Sequence, residues 1–268
     1  MKYLLPIILF FFCTNSTAQK RDYNWVFGDS VGINFNTVPP SVDTTRIIMT
    51  IEPAASISDE NGNLLFYVGS PEVDILTNYK KCVVRSSDNS IMVGGDSIAG
   101  YTSVTQGLII IPDSYDTAKY YIFHIGYFLG LYYSIVDISL NNGLGEIISA
   151  NNILKSYVTE KMHAVKAANG KDWWIIGMVR QGNSDYFYKF KLDSAGIANK
   201  GQQLISSQQV PSWAGQIIFS PNGDKLIYTG GMTENSVFDF DRCTGEFMNR
   251  QLLNQGGHPR YGASFSPS

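Results

Sequence analysis

The stretch IFSPNGDKLIYTGG, residues 218–231, decides the fold because the chain repeats it. SISDENGNLLFYVG (56–69) and VKAANGKDWWIIGM (165–178) share its grammar: a short strand, an Asn-Gly turn, then a strand rich in aromatic and β-branched residues. Asn-Gly between two such runs is a hairpin signal, because glycine accepts the positive φ that tight hairpin turns need. The turn glycines are Gly62, Gly170 and Gly223; the last two are 53 residues apart and the first two 108, two units of about 54. The intervening unit is LIIIPDSYDTAKYYIFHIG (108–126), with Asp-Thr-Ala-Lys replacing Asn-Gly. SFSPS (264–268) repeats IFSPN (218–222) and opens another copy.

A repeat of about 46 to 54 residues, holding several strands and no amphipathic helix, is the pattern of β-propeller blades. In the second unit GLIIIP, KYYIFHI, LGLYYSIVDISL and GEIISANNIL read as strands from inner to outer; in the fourth, GQIIFSP, KLIYTGG, NSVFDFD and EFMNRQLL do the same. One such sheet cannot bury both faces alone, so blades stack radially and aromatic side chains fill the seams. The expected fold is therefore an all-β propeller of four-stranded antiparallel blades. Its units fall near 52–104, 105–159, 160–212 and 213–259, with another starting at 260: about four and a half blades of a longer ring. NWVFGDSVGINFN is expected to add outer-strand material, and Trp25, Trp173 and Trp174 to pack between blades.

Residues 1–18, MKYLLPIILFFFCTNSTA, read as a signal peptide: a basic Lys2, an apolar run and a small-x-small cleavage site at Ser16-Thr17-Ala18. Cys13 offers a lipidation site, but Phe10-Phe11-Phe12 before it are too bulky for one. No other stretch approaches the roughly 20 apolar residues of a membrane span. The expected location is therefore secreted or cell-surface. Net charge is −3 and charged residues are 16%, with no basic stripe, which excludes nucleic acid and polybasic membrane attachment as partners. Beyond the leader only Cys82 and Cys243 remain, and the sequence leaves open whether they pair or stay separate thiols.

NWVFGDSVGINF, SDENGNLLFYV, YYSIVDISLNNGLGEI, TEKMHAVKAANGKDWWII, FSPNGDKLIY and FDFDRCTG together resemble the N-terminal propeller of large secreted Bacteroidota proteins. Those proteins commonly end in a type IX secretion sorting domain, and the propeller is similar to WD-repeat-like and lactonase-like propellers. The resemblance implies export, surface or extracellular placement, and adhesive or binding roles.

Candidate chemistry is sparse. GDSVG (28–32) has the G-x-S-x-G form, and FGDS looks like the first block of GDSL esterases. A serine nucleophile needs a base, a group orienting that base, and a strand–turn–helix setting. Here a strand, INFN, follows, and none of His124, His163 and His258 has an Asp three residues before it. Ser30 is therefore read as part of a turn. Asp59-x-Asn61-Gly62-Asn63 places its glycine too early for a calcium loop and lacks the closing Glu. Glu160 and His163 fall on opposite faces of a strand, so no metal or other cofactor is expected. Asp137, Asp239 and Asp241 read as strand ends that hold turns.

One constellation stands out. Glu52, Gln106 and Glu160 are spaced 54 and 54, at equivalent places before three inner strands. Trp213 and Gln216 occupy the corresponding place in the fourth unit, and His258, Arg260 and Tyr261 in the fifth. These residues are expected to ring one mouth of the central channel and meet a polar ligand. The leading functional expectation is a non-catalytic extracellular module that binds or scaffolds protein or glycan. The alternative is a lactonase-like hydrolase using Glu52 and Glu160 as an acid–base pair. Fold alone licenses neither.

Overall fold

The computed structural model describes residues 19–69, 81–96, 98–126, 129–206, 214–230, 235–253 and 261–266. The expected signal peptide lies outside the described residues, as do Trp213, His258 and Arg260.

Each Asn-Gly turn closes a hairpin between the first and second strands of a blade. Gly62, Gly170 and Gly223 all have positive φ, at 91°, 71° and 72°. At Gly223 the requirement is steric too, since a Cβ there would meet the Val165 side chain at 2.6 Å.

Four sheets have four antiparallel strands each, in simple sequential order. The first blade is β4 (Ala55–Ser58), β5 (Leu64–Gly69), β6 (Lys81–Ser86) and β7 (Ile98–Ala99). The second is β8 (Leu108–Pro112), β9 (Lys119–Gly126), β10 (Gly130–Asp137) and β11 (Glu146–Lys155). The third is β12 (Val158–Lys166), β13 (Trp173–Gln181), β14 (Ser184–Asp193) and β15 (Gly196–Ser206). The fourth is β16 (Ile217–Phe219), β17 (Lys225–Thr229), β18 (Asn235–Asp241) and β19 (Glu246–Leu252). Strand β8 touches β4 and β12, and β12 touches β16, so the first strands of the blades surround the axis. The chain is thus an all-β propeller of four-stranded blades.

The core is a series of seams between blades. Phe66, Val84, Ile122 and Val136 fill the seam between blades one and two. Phe123, Leu131, Ile175 and Phe190 fill the next. Trp174, Phe187, Phe219, Phe238, Phe240 and Phe247 fill the seam between blades three and four. Period-two alternation allows one strand to serve two seams: in β14, Phe187 faces blade four while Phe190 and Leu192 face blade two. Two turn glycines between third and fourth strands, Gly145 and Gly245, seat the neighbouring blade. Gly245 has φ 78°, and a Cβ there would strike the Trp174 indole at 2.5 Å.

Three expectations are corrected. NWVFGDSVGINFN does not add an outer strand to a blade. It supplies β1 (Asn24–Phe27) and β2 (Val31–Asn34) of a separate sheet completed by β3 (Ser41–Asp43), because β1 finds its partners in β2 and the sheet stacks on β4 and β5. Trp25 does not pack between blades: it is 52% exposed, on the face of β1 turned away from blade one, with Phe35 at 5.0 Å. Trp174, by contrast, is buried, and Trp173 is half-buried. Finally, residues 261–266 carry no strand; they run beside Gln216 and Thr229.

The turn at 28–30 stands as read: Gly28 and Ser30 have φ of 64° and 57° between β1 and β2, and the Ser30 N–H and hydroxyl both donate to the Ile48 carbonyl. Asp59 accepts from the Asn61 and Asn63 N–H groups and so closes its own turn. Asp137 and Asp241 cap strand ends, accepting from Ser139 and from Cys243 and Thr244, but Asp239, read as another strand end, lies inside β18 and pairs with Lys225 at 2.7 Å. Cys82 and Cys243 are separate free thiols; burial pushes the Cys82 thiol up to about 12, while Cys243 is exposed. No helix among the described residues is long and apolar enough to cross a membrane.

Candidate functional site

The leading mouth of the channel is where the inner strands begin. Glu160 sits at the start of β12, beside a register shift between Val158 and Met162 that re-aims the strand. Its carboxylate accepts from the Thr105 hydroxyl at 3.0 Å and the Thr105 N–H at 3.3 Å. Its own carbonyl accepts the Gln106 N–H at 3.1 Å. The Thr105 hydroxyl also meets the Tyr261 hydroxyl at 2.7 Å. Tyr261 is held there from both sides: its carbonyl accepts from Thr229, and the Ala263 N–H donates to Gln216.

Glu52 reaches the same place from the loop before β4. Pro53 after it favours extended backbone, which projects the side chain from the loop. The Ser103 and Tyr261 hydroxyls face its carboxyl. Glu52 is exposed, so water reaches it. Partial burial and then the Glu160 charge nonetheless raise its pKa, and the two hydroxyls offset part of this. The structure thus brings Glu52, Glu160 and Tyr261 together.

The two glutamines do other work. The Gln106 amide makes a double hydrogen bond to the Ile217 backbone, donating to its carbonyl and accepting its N–H, each at 2.9 Å, and so ties blade two to β16. The Gln216 side-chain oxygen is taken by Ala263. Sequence reasoning missed Ser103 and Thr105. The available signal was position: both lie in the loop entering β8, just before Gln106, but hydroxyl residues in loops are too common to attract notice.

The remaining polar groups near the axis are structural. Lys161 is fully buried between blades three and four, its Nζ 5.4 Å from the Tyr228 ring, and burial lowers its pKa to about 8. His124 is buried, with Nδ1 2.6 Å from the Ala99 carbonyl and Nε2 3.0 Å from the Ser134 hydroxyl; burial pushes it down to about 4, so the ring is neutral. His163 lies against Phe219, away from the Glu160 partners, and burial lowers it likewise to about 4. Among the described residues no three His, Cys, Asp or Glu side chains cluster to hold a metal.

No protein family and no curated protein matches the sequence. Solved structures with some likeness include candidate 6-phosphogluconolactonases from Bacteroides uniformis (12% identity, TM-score 0.47) and Bacteroides fragilis (13%, 0.44), and the hydrazine synthase of Kuenenia stuttgartiensis (10%, 0.40). The likeness covers 83%, 87% and 78% of this chain but only 64%, 71% and 61% of theirs. The fold assignment rests on the chain's own sheets, and its chemistry on its own residues.

Proposed function

We propose that the leading mouth is an acid–base site that hydrolyses a small polar ester or lactone. One observation carries this reading: two carboxylates, Glu52 and Glu160, share the mouth in unlike surroundings. Thr105 donates twice to Glu160, whereas burial and the Glu160 charge favour the protonated form of Glu52. Two carboxyl groups in unlike surroundings can divide the roles of base and acid. In this reading Glu160 takes the proton of an attacking water. Glu52 gives its proton to the departing alkoxide. The Tyr261 hydroxyl orients the substrate carbonyl between them.

The test is turnover of a lactone and ester panel by the wild-type protein and by the Glu52→Gln and Glu160→Gln variants. General acid–base catalysis contributes about 100- to 10,000-fold, so each variant is expected to lose at least about 100-fold in kcat. A wild-type protein that turns over nothing on the panel ends the proposal, and so does a Glu52→Gln variant at full rate.

A second reading, a non-catalytic glycan-binding mouth, draws on the Ser103, Thr105 and Tyr261 hydroxyls, which match the donors and acceptors of a sugar. It expects saturable glycan binding without turnover, weakened at least about tenfold by Thr105→Ala with Tyr261→Ala. In both readings the leader Met1–Ala18 supports export, which N-terminal sequencing of the natural protein tests by finding Gln19 first.

A further inference from the structure

The inner strands end at the opposite, trailing mouth, where a cavity of about 650 Å³ opens. Its wall carries Ser114, from the turn after β8, and Lys166, the last residue of β12. The Lys166 Nζ is 2.5 Å from the Ser114 hydroxyl oxygen. It also donates to the Lys171 carbonyl at 2.9 Å and lies 4.0 Å from the centre of the Trp173 ring. The amine is therefore oriented by two further groups, as the base of a nucleophile–base pair needs to be.

Other features of its surroundings loosen the amine's hold on a proton, against the pull of the Lys171 carbonyl and the Trp173 ring. Among the described residues no carboxylate forms an ion pair with Lys166. Burial, and then the nearby Arg21 charge, lower its pKa to about 8. Asp172 and Asp113 oppose that shift, but Asp172 is engaged by Lys191 at 2.8 Å and by the Tyr115 hydroxyl at 2.6 Å. Asp22, Glu60 and Lys171 also line the cavity, and Glu60 is paired with Arg21 at 2.8 Å.

We propose that Ser114 and Lys166 form a nucleophile–base pair that accepts the acyl group of a small ester or lactone at the trailing mouth. The neutral Lys166 amine takes the Ser114 proton as the serine oxygen bonds to the carbonyl carbon, and the carbonyl π pair moves to its oxygen. Lys171, which lines the same cavity, is a cation for that oxyanion, whereas Arg21 is held by Gln19, Tyr120 and Glu60. As the intermediate collapses, the carbon–alkoxide bond breaks and the Lys166 ammonium protonates the leaving oxygen. Water, deprotonated by the same amine, then attacks the acyl-serine carbon; the bond from that carbon to the serine oxygen breaks, the Lys166 ammonium returns the proton to the Ser114 oxygen, and the acid leaves. The pair stands apart from Glu52 and Glu160, at the other end of the channel, and does not depend on their role.

The experiment is covalent labelling of the whole chain by a β-lactone probe, read by peptide mass spectrometry. One acyl adduct is expected on Ser114, forming about tenfold faster per pH unit below pH 8 and levelling off above it. Ser114→Ala removes the adduct, and Lys166→Arg slows it at least about 100-fold. The proposal is overturned by no adduct on Ser114 at any pH up to about 9, by a labelling rate flat with pH, or by wild-type labelling in Lys166→Arg. The pH profile is read on the unaltered chain, so it decides the matter even where a variant does not fold.

Discussion

Two seams hold the same kind of sheet by different means. Between blades three and four the described residues bury thirteen mainly apolar side chains, seven of them aromatic, from Trp174 to Phe247. Phe240 sits at the middle, 4.9 Å from Phe219 and 4.7 Å from Phe247, with Trp174 edge-on at 6.3 Å. Between the N-terminal sheet and blade one, among the described residues, only Val26, Ile48 and Tyr67 form the buried cluster. Hydrogen bonds take over there. The Asn24 amide donates to the Ser58 hydroxyl at 2.9 Å and the Gly62 carbonyl at 2.7 Å; Ser56 donates to the Asn24 carbonyl at 2.6 Å. The Tyr67 hydroxyl accepts the Ile47 N–H at 3.1 Å and donates to Asn89 at 2.9 Å. The first seam is stabilised by area and the second by geometry. They therefore fail differently: an aromatic seam loses stability with volume removed, a hydrogen-bonded one when a single buried partner is orphaned.

The largest effect belongs to the aromatic seam. Phe240→Ala removes the ring that touches both blades and leaves a cavity, at a cost of about 3–5 kcal/mol in denaturant unfolding. A loss below about 1 kcal/mol would mean that the seam collapses freely and is not interlocked. Asn24→Ala is next. It takes a donor from the buried Ser58 hydroxyl and one of two from the Gly62 carbonyl, which keeps the Asn36 amide, at a cost of about 1–3 kcal/mol. The loss is expected to be local, with faster amide exchange in β1 and β2 and unchanged exchange in β17 and β18. Equal acceleration everywhere would show that the two seams unfold as one unit.

The contrast also explains what was legible in the sequence. The aromatic seams announce themselves, because Asn-Gly turns and aromatic strands recur at a fixed spacing, and the blades of four strands follow from that. The N-terminal sheet has no copy elsewhere in the chain, so NWVFGDSVGINFN offered no period to place it, and its partners are single side chains such as Asn24 and Ser58. The same logic divides the candidate sites. Equivalent spacing picked out Glu52 and Glu160, and Tyr261 from the following copy, and the three meet at the leading mouth. Spacing also picked out Gln106 and Gln216, since it registers position and not what a side chain bonds to; both amides are engaged by backbone. Ser114 and Lys166 escaped notice because they meet only when blades two and three stack, and neither belongs to a recurring motif.

At the leading mouth the expected stability effect is smaller and has a definite sign. Glu52 has a pKa raised above its ordinary 4.5 by partial burial and the Glu160 charge. The folded chain therefore holds the Glu52 proton more tightly than the unfolded chain does. This contribution to stability is fully present below the unfolded value and is lost as pH rises through the folded one. Glu52→Gln, which carries no ionisable group, removes that loss. Unfolding by urea is expected to show no gain for the variant below about pH 4 and a small gain by pH 7. A variant that is relatively less stable at pH 7 than at pH 4 would reverse the sign and place Glu52 in a stabilising contact, not in a functional one.

The smallest effect tests the open face of the N-terminal sheet. Trp25 and Trp174 are the same residue in opposite settings: Trp174 is 3% exposed with its Nε1 donating to the Arg242 carbonyl at 2.9 Å, whereas Trp25 is 52% exposed. Residues paired across β1, β2 and β3 place Trp25, Ile33 and Val42 on one side of that sheet, and Val42 is 70% exposed. Trp25→Ser removes a large ring that lies on the surface with about half of its area in water, so the expected change is small, within about 0.5 kcal/mol. The companion substitution Trp174→Ala, which removes an indole of the same size, is expected to cost about 3–5 kcal/mol. If Trp25→Ser instead costs several kcal/mol in the natural protein, the outward face of the N-terminal sheet is covered in solution. The seam that looks sparse would then have a second side, and the difference between the two seams would be one of partner and not of kind.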